Sequence, residues 1–287
     1  MPELPEVETV RLGLAKFIVG KQILSLEVLN EKSFSFVRAT RKDLIGSEIG
    51  SVRRRGKVLI VDLTNGFSLV GHLKMTGQIV VRGKENFAAG HPTDSFMANL
   101  PDRSTRVIFE LTNDTKLFFN DQRKFGWIRL MPTAEVERIP FLENMGPEPW
   151  DEQVRELFMK NIRRHQNSMV KPAILNQSVM AGIGNIYADE SLWMARVHPE
   201  TRVKTLPDKK LIEVCTAAGK VMKKSIDSGG STMKTYVKAD GTKGNYLEKF
   251  ANVFRREGKP CPRCGSTITK IKVAGRGTHI CPKCQRL

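Results

Sequence analysis

No stretch of the 287 residues approaches the roughly 18 consecutive apolar residues of a membrane span, and no basic segment followed by an apolar signal core stands at the start. A cytoplasmic protein is expected, without membrane partners. Low-complexity tracts are also missing, and with 40% hydrophobic and 27% charged residues the composition is that of a folded chain rather than a disordered one. Cysteine is scarce. There are five, four of them in two close pairs near the C-terminal end, a pattern that in a reducing compartment suits metal ligation better than disulfides. The fifth, Cys215, falls in the apolar periodicity of a helical segment and reads as a buried free thiol. Acidic residues are in short supply as well, 30 against 47 Lys and Arg, leaving a net charge of +17 that favours a polyanionic partner. From Val221 to Leu287 there are 15 Lys or Arg and 4 Asp or Glu, so a nucleic-acid surface should include the C-terminal part.

What is present divides the chain by pattern. Val7, Val10, Leu14 and Phe17 fall at helical spacing, so an amphipathic helix is expected over Pro5 to Phe17. From Gln22 to Met131 the pattern is alternating and β-branched, with strands expected at Ile23 to Leu29, Val58 to Leu63, Phe67 to His72, Arg106 to Leu111 and Lys116 to Phe119. Thr64-Asn65-Gly66 and Thr112-Asn113-Asp114 are turn signals joining neighbours into antiparallel hairpins. Pro140 to Trp150, with three prolines and a glycine and no periodicity, marks a linker. Beyond it helices are expected at about Glu152 to Asn161, Val170 to Val179, Asn185 to Arg196 and Asp208 to Ser228. The expected division is a domain over 1–139, a linker over 140–151, a helical domain over 152–250 and a metal-binding ribbon over 251–287.

Cys261-Pro-Arg-Cys264 and Cys281-Pro-Lys-Cys284 are two knuckles separated by sixteen residues. That spacing fits one zinc ion held by four thiolates, a closed site and therefore structural rather than catalytic. With four thiols available, His279 is read as a surface or packing residue. Arg276 lies between two glycines at the expected tip of the intervening hairpin, where it is either a groove-probing side chain or a solvated arginine. Gly182-Ile-Gly184 joins two helical stretches, and the second opens at Asn185. The N-terminus of that helix and the Asn185 amide suit a phosphate, although an ordinary capped hairpin has the same pattern.

Met1-Pro-Glu-Leu-Pro-Glu-Val-Glu-Thr9 alone reads as the acidic first turn of a helix. A small residue at position 2 also permits removal of Met1, and a freed Pro2 is a secondary amine able to act as a nucleophile. If Met1 stays, the Pro2 nitrogen is an amide and inert.

Taken in order, this opening with Arg55-Gly-Lys57, Gly71-His-Leu-Lys-Met-Thr-Gly77, Asp121-Gln-Arg-Lys-Phe-Gly126, Gly184-Asn-Ile-Tyr187, the cysteine knuckles and Gly275-Arg-Gly-Thr278 resembles the formamidopyrimidine-DNA glycosylase family almost end to end. The resemblance implies an α+β multidomain fold: an N-terminal β-sandwich with flanking helices, then a helix-two-turn-helix bundle and a four-cysteine zinc finger. It implies a bifunctional glycosylase and AP lyase, monomeric, acting on double-stranded DNA that carries an oxidised purine or an abasic site. By the same resemblance Pro2 is the nucleophile, Glu3 the acid/base carboxylate, Lys57 a phosphate contact and proton donor, and Arg276 a phosphate ligand linked to δ-elimination. Asn185 is a second phosphate ligand, Glu6 a supporting member of the DNA-binding set, and Met75, Arg123 and Phe125 fill the gap left by the extruded nucleotide. Residues 228–246 correspond to a lesion-recognition loop. Two departures stand out. Ser104-Thr-Arg106 replaces a His-x-His pair that contacts DNA, and Gln166 replaces a lysine, with Arg163, Arg164 and Lys171 as candidates to substitute for it. Leu4 favours the purine enzyme over the related endonuclease VIII type, which attacks oxidised pyrimidines; a non-catalytic zinc-dependent nucleic-acid binder leaves the opening residues unexplained.

Overall fold

The structure, a computed structural model, describes residues 1–91, 94–229 and 251–287, so the expected lesion-recognition loop lies almost wholly outside the described residues. The chain forms two compact units, one of Met1–Glu143 and one of Asn144–Ser228 with 251–287.

The first unit begins with helix α1 (Leu4–Ile18) and continues, among the described residues, through ten strands: β1 (Ile23–Val28), β2 (Phe34–Phe36), β3 (Ile49–Arg55), β4 (Val58–Leu63), β5 (Phe67–His72), β6 (Gly77–Arg82), β7 (Phe87–Gly90), β8 (Thr105–Leu111), β9 (Thr115–Asp121) and β10 (Trp127–Pro132). They form two five-stranded sheets, ordered β1-β8-β9-β6-β7 and β2-β10-β5-β4-β3, antiparallel except where β2 runs parallel to β10. Every second residue faces inward, and Leu26, Val107, Phe109, Leu117, Phe119 and Ile79 of one sheet share a core with Val52, Leu59, Val61, Leu69 and Ile128 of the other. This is the expected sandwich. A second apolar cluster, Val80, Phe96, Ile108 and Phe118, covers the outer face of the first sheet.

Helix α1 packs against β3, β4 and β7, burying Leu4, Val7, Val10, Leu14 and Ile18. It approaches β7 so closely that a Cβ on Gly13 would lie 2.0 Å from the Phe87 ring. That contact holds the helix, and with it the first residues, against the sandwich. The turns behave as their sequences suggest: Gly66, and both Asn113 and Asp114, take positive φ between β4 and β5 and between β8 and β9. Five strands escaped the sequence reading: β2, β3, β6, β7 and β10. In β3 the run Arg53-Arg54-Arg55 hides a half-buried edge strand behind charge.

Within 140–150 there is one short helix, α2 (Pro140–Glu143). The second unit then holds α3 (Val154–Ile162), α4 (Val170–Leu175), α5 (Asn185–Met194), α6 (Asp208–Asp227) and the hairpin β11 (Thr269–Val273) with β12 (Arg276–Ile280). Helix α4 stops four residues earlier than expected. The Asn176 carboxamide accepts the Ser178 N–H and hydroxyl at 3.0 Å, while Gln177 bridges the Gly182 N–H and the Ile183 carbonyl, so side chains take backbone partners that the helix would otherwise use. The result is the tight double turn between α4 and α5. No helix among the described residues is long and apolar enough to cross a membrane.

Candidate functional site

In the first unit, Pro2, Glu3 and Glu6 are all buried at the head of α1, with Glu3 3% and Glu6 5% exposed. The Glu6 carboxylate accepts the Glu3 backbone N–H at 2.9 Å, half of a capping box that fixes the direction in which the first residues leave the helix. Glu6 thus supports the position of its neighbours. Lys57 sits in the turn between β3 and β4, behind Gly56 at positive φ, and is 7% exposed. Arg54 ties that turn to α1: its Nε donates to Glu8 at 2.8 Å and its Nη1 to the Gly56 carbonyl at 3.2 Å. Burial alone raises the Glu8 pKa, but the hydrogen bonds from Arg11 and Arg54 outweigh it and hold the carboxyl below its ordinary value.

His72, at the end of β5 opposite Val58, accepts the Lys74 N–H on Nδ1 at 2.9 Å. Burial, reinforced by the charges of Lys74 and Lys57, lowers its pKa to about 3. The imidazole is neutral at physiological pH, and Lys57 has an uncharged neighbour there. Sequence reading passed over this histidine although the motif Gly71-His72-Leu73 contains it.

Met75 lies in the β5–β6 loop, and Arg123 and Phe125 lie in the β9–β10 loop. Had Met75 and Phe125 been core residues they would be buried; they are 39% and 54% exposed. The Arg123 guanidinium stacks on the Phe125 ring at 4.9 Å. Ser104 and Arg106, at the position of the missing His-x-His pair, turn inward: the Ser104 hydroxyl donates to Asp102 at 2.6 Å and the Arg106 Nε to the Asp121 carbonyl at 2.8 Å.

In the second unit, Asn185 is the first helical residue of α5, with Gly184 in the cap position. Its Nδ2 donates to the Gly277 carbonyl at 3.0 Å, and its Oδ1 is buried with no hydrogen-bond partner among the described residues. Arg276 is exposed; it opens β12 opposite Val273 rather than sitting in the turn itself, which Ala274 and Gly275 make at positive φ. Lys171 is not available to a phosphate. It is completely buried, with Nζ 2.6 Å from Asp189 and 2.7 Å from the Thr278 hydroxyl. Arg163 is engaged by Asp208 and by the Val203 and Leu206 carbonyls, which leaves Arg164 as the exposed member of the three.

Helix α5 also carries the ribbon. Asp189 accepts the His279 N–H at 2.9 Å, Glu190 accepts the backbone N–H groups of Asn252, Val253 and Phe254, and Arg263 caps the helix end on the Trp193 and Met194 carbonyls while stacking on the Trp193 ring at 4.0 Å. His279 packs its ring on Phe254 at 5.1 Å. The sulfurs of Cys261, Cys264, Cys281 and Cys284 all lie within 4.8 Å of one another, with separations of 3.4 Å for Cys264 to Cys281 and 4.0 Å for Cys261 to Cys284. Tetrahedral zinc with four thiolates places sulfurs about 3.8 Å apart, so this set fits the ion and leaves no open position. Hydrogen bonds from the Ser266 backbone and hydroxyl lower the Cys264 thiol to about 6, which favours a thiolate there.

Three family models cover the chain: the formamidopyrimidine-DNA glycosylase N-terminal domain over residues 1–128, the H2TH domain of the same proteins over 145–237, and a zinc finger found in FPG and IleRS over 258–287. The chain belongs to the formamidopyrimidine-DNA glycosylase family. A relative of that name from Pelotomaculum thermopropionicum is 39% identical over the whole of both chains. Among solved structures, a Lactococcus lactis FPG mutant in complex with DNA containing Fapy-dG superposes with a TM-score of 0.85 at 35% identity, each chain fully covered. The wild-type Lactococcus lactis protein with DNA containing an oxidised pyrimidine gives 0.84 at 34%, again over the whole of both chains. All four clustered cysteines fall inside the zinc-finger match, and they hold one structural zinc ion.

Proposed function

We propose that this chain is a bifunctional DNA glycosylase and AP lyase that removes oxidised purines, 8-oxoguanine and formamidopyrimidines, from duplex DNA. One observation carries the reading: a buried Pro2-Glu3 pair at the head of α1, in a chain similar along its full length to proteins named formamidopyrimidine-DNA glycosylase.

With Met1 removed, the Pro2 nitrogen is a secondary amine fixed by the helix start. It attacks C1′ of the damaged nucleotide; the C1′–base bond breaks, the base leaves with a proton, and a covalent iminium forms between Pro2 and the opened sugar. The iminium draws electrons from C2′, whose proton is lost as the 3′ C–O bond breaks, and a second elimination releases the 5′ phosphate. Water then frees Pro2. Glu3, buried beside the amine, is suited to carry protons between sugar oxygen and leaving groups. Lys57 supplies a cation and a proton donor from the turn that Arg54 secures. Asn185 and Arg276 offer an amide and a guanidinium to phosphates. Met75, Arg123 and Phe125, exposed in two loops, suit the space left when the nucleotide is extruded.

A DNA substrate implies that the enzyme works where the chromosome is, in the bacterial cytosol and nucleoid. The endonuclease VIII-like alternative is kept as an arm of the test because a relative was solved with oxidised-pyrimidine DNA. Single-turnover excision from duplexes carrying 8-oxoguanine opposite cytosine should exceed excision of thymine glycol. Faster removal of thymine glycol would reassign the lesion class, and binding without strand cleavage on either would reduce the chain to a zinc-dependent DNA binder.

A further inference from the structure

Asp121 is completely buried at the end of β9, yet its carboxylate does not meet a cation in the described interactions. It accepts instead from three donors on two loops: the Thr76 hydroxyl, the Arg123 N–H at 3.2 Å and the Gly126 N–H at 2.7 Å. Thr76 itself accepts the Arg123 N–H at 3.0 Å. The β5–β6 loop that carries Met75 and the β9–β10 loop that carries Arg123 and Phe125 therefore share one acceptor and one hydroxyl. We propose that Asp121 and Thr76 are positioning residues that couple the two loops, so that Met75, Arg123 and Phe125 act on the duplex as a single rigid unit.

Three further features support the coupling. The loops start from paired strand ends, since Gly77 of β6 lies opposite Asp121 of β9. Gly126 has no space for a side chain, a Cβ there falling 2.6 Å from the Phe119 ring and 3.1 Å from the Asp121 carboxylate, so the loop returns tight against its anchor. Lys74 and Lys124, each next to one of the exposed residues, take positive φ of 50° and 59°, backbone shapes of modest cost that persist where surrounding bonds dictate them. Arg106 braces the same residue from β8 through the Asp121 carbonyl, and Asp121 N–H donates to the Ser104 carbonyl at 2.8 Å. Ser104 and Arg106 thus hold the anchor in place from β8 and the residue before it.

Pre-organisation of the two loops is what such a coupling achieves. An apolar side chain that wedges a base stack loses its benefit if the backbone behind it yields, and the ordering cost falls if both loops are fixed before DNA arrives. Exposed Met75 and Phe125 on loops tied to the buried Asp121 carboxylate meet that requirement.

This inference rests on the reading of Met75, Arg123 and Phe125 as gap fillers, and the experiment separates the two. Thr76→Val keeps shape and removes the hydroxyl; Thr76→Ser keeps the hydroxyl. Thr76→Val should slow single-turnover excision of 8-oxoguanine from duplex by about 10- to 100-fold. Strand cleavage at an abasic site in single-stranded DNA, where no stack needs filling, should stay within about twofold, and the variant should stay folded at the assay temperature, its melting temperature lowered only by the few degrees that one lost hydrogen bond to a buried carboxylate implies. Thr76→Ser should restore duplex excision, and adding Met75→Ala to Thr76→Val should cost less than Met75→Ala costs alone. Unimpaired duplex excision by Thr76→Val, in a background where Met75→Ala is damaging, overturns the coupling and leaves gap filling intact. Equal loss on both substrates also overturns it. If Met75→Ala and Phe125→Ala leave duplex excision unchanged, the gap-filling reading fails and the coupling with it.

Discussion

Arg54 reaches from β3 to Glu8 on α1 at 2.8 Å, joining the helix that follows Pro2 and Glu3 to the strand that ends at the Lys57 turn. Both side chains are largely buried, 6% and 15% exposed, so removing the Glu8 charge leaves the Arg54 guanidinium poorly compensated. Glu8→Gln should cost about 1–3 kcal/mol in urea unfolding at pH 7. The Glu8 pKa is lowered on folding, so its contribution is present above the ordinary value of 4.5 and is lost as pH falls through the folded value beneath it. The difference between wild type and Glu8→Gln should shrink in that acid range; a constant difference down to full protonation would mean the pair does not stabilise the fold.

His72 gives a second acid-sensitive element with a different window. Its folded pKa of about 3 lies below the ordinary 6.5, so between those values the unfolded chain binds a proton that the native one does not. Stability should therefore decline as pH falls from 6.5 towards 3, by at most about 1.4 kcal/mol per unit from this group. His72→Asn, which retains an acceptor for the Lys74 N–H, should flatten the slope. An unchanged slope would place the imidazole in water rather than in the apolar site between β5 and Trp127.

Much of this architecture can be read along the chain because it depends on local pattern. The hairpins around Asn65 and Asn113, helix α6 and the cysteine knuckles all carry their instructions within a few residues. The rest depends on partners far away. Lys171 looks like a surface cation until Asp189 and Thr278 bury it, the latter 107 positions on. Strand β3 is hidden by arginines whose partners, Glu8 and Asp62, lie on other elements. The Asp121 anchor was legible only as a motif, since its role rests on Thr76, 45 residues earlier. The exposure of Met75 and Phe125 decided between core and surface, a choice that apolar character alone leaves open.

The Lys171 and Asp189 pair should behave as a structural lock on the ribbon. Lys171→Met leaves a fully buried carboxylate beside the His279 N–H and should lower stability by about 3–5 kcal/mol in denaturant melts. DNA affinity should fall with it, because the hairpin bearing Arg276 is held through Gly277 and Thr278. Wild-type stability in Lys171→Met would show that the pair is open to solvent.

Zinc removal tests the ribbon from its other end. Chelation verified by loss of bound metal should weaken duplex binding, since four thiolates without their ion no longer fix the turns around β11 and β12. Cys264→Ser should act in the same direction. Undiminished affinity in a zinc-free sample would separate the ribbon from DNA recognition.

The proposed activity depends on covalent chemistry by the Pro2 nitrogen. Borohydride reduction of the protein on an 8-oxoguanine duplex, followed by proteolysis and mass measurement, identifies the bonded residue directly. The expected product is a reduced sugar adduct on a peptide that starts at Pro2, with Met1 gone and with trapping in Pro2→Gly well below that of wild type. An adduct on Lys57 or another lysine, or full trapping by protein that retains Met1, would contradict the account.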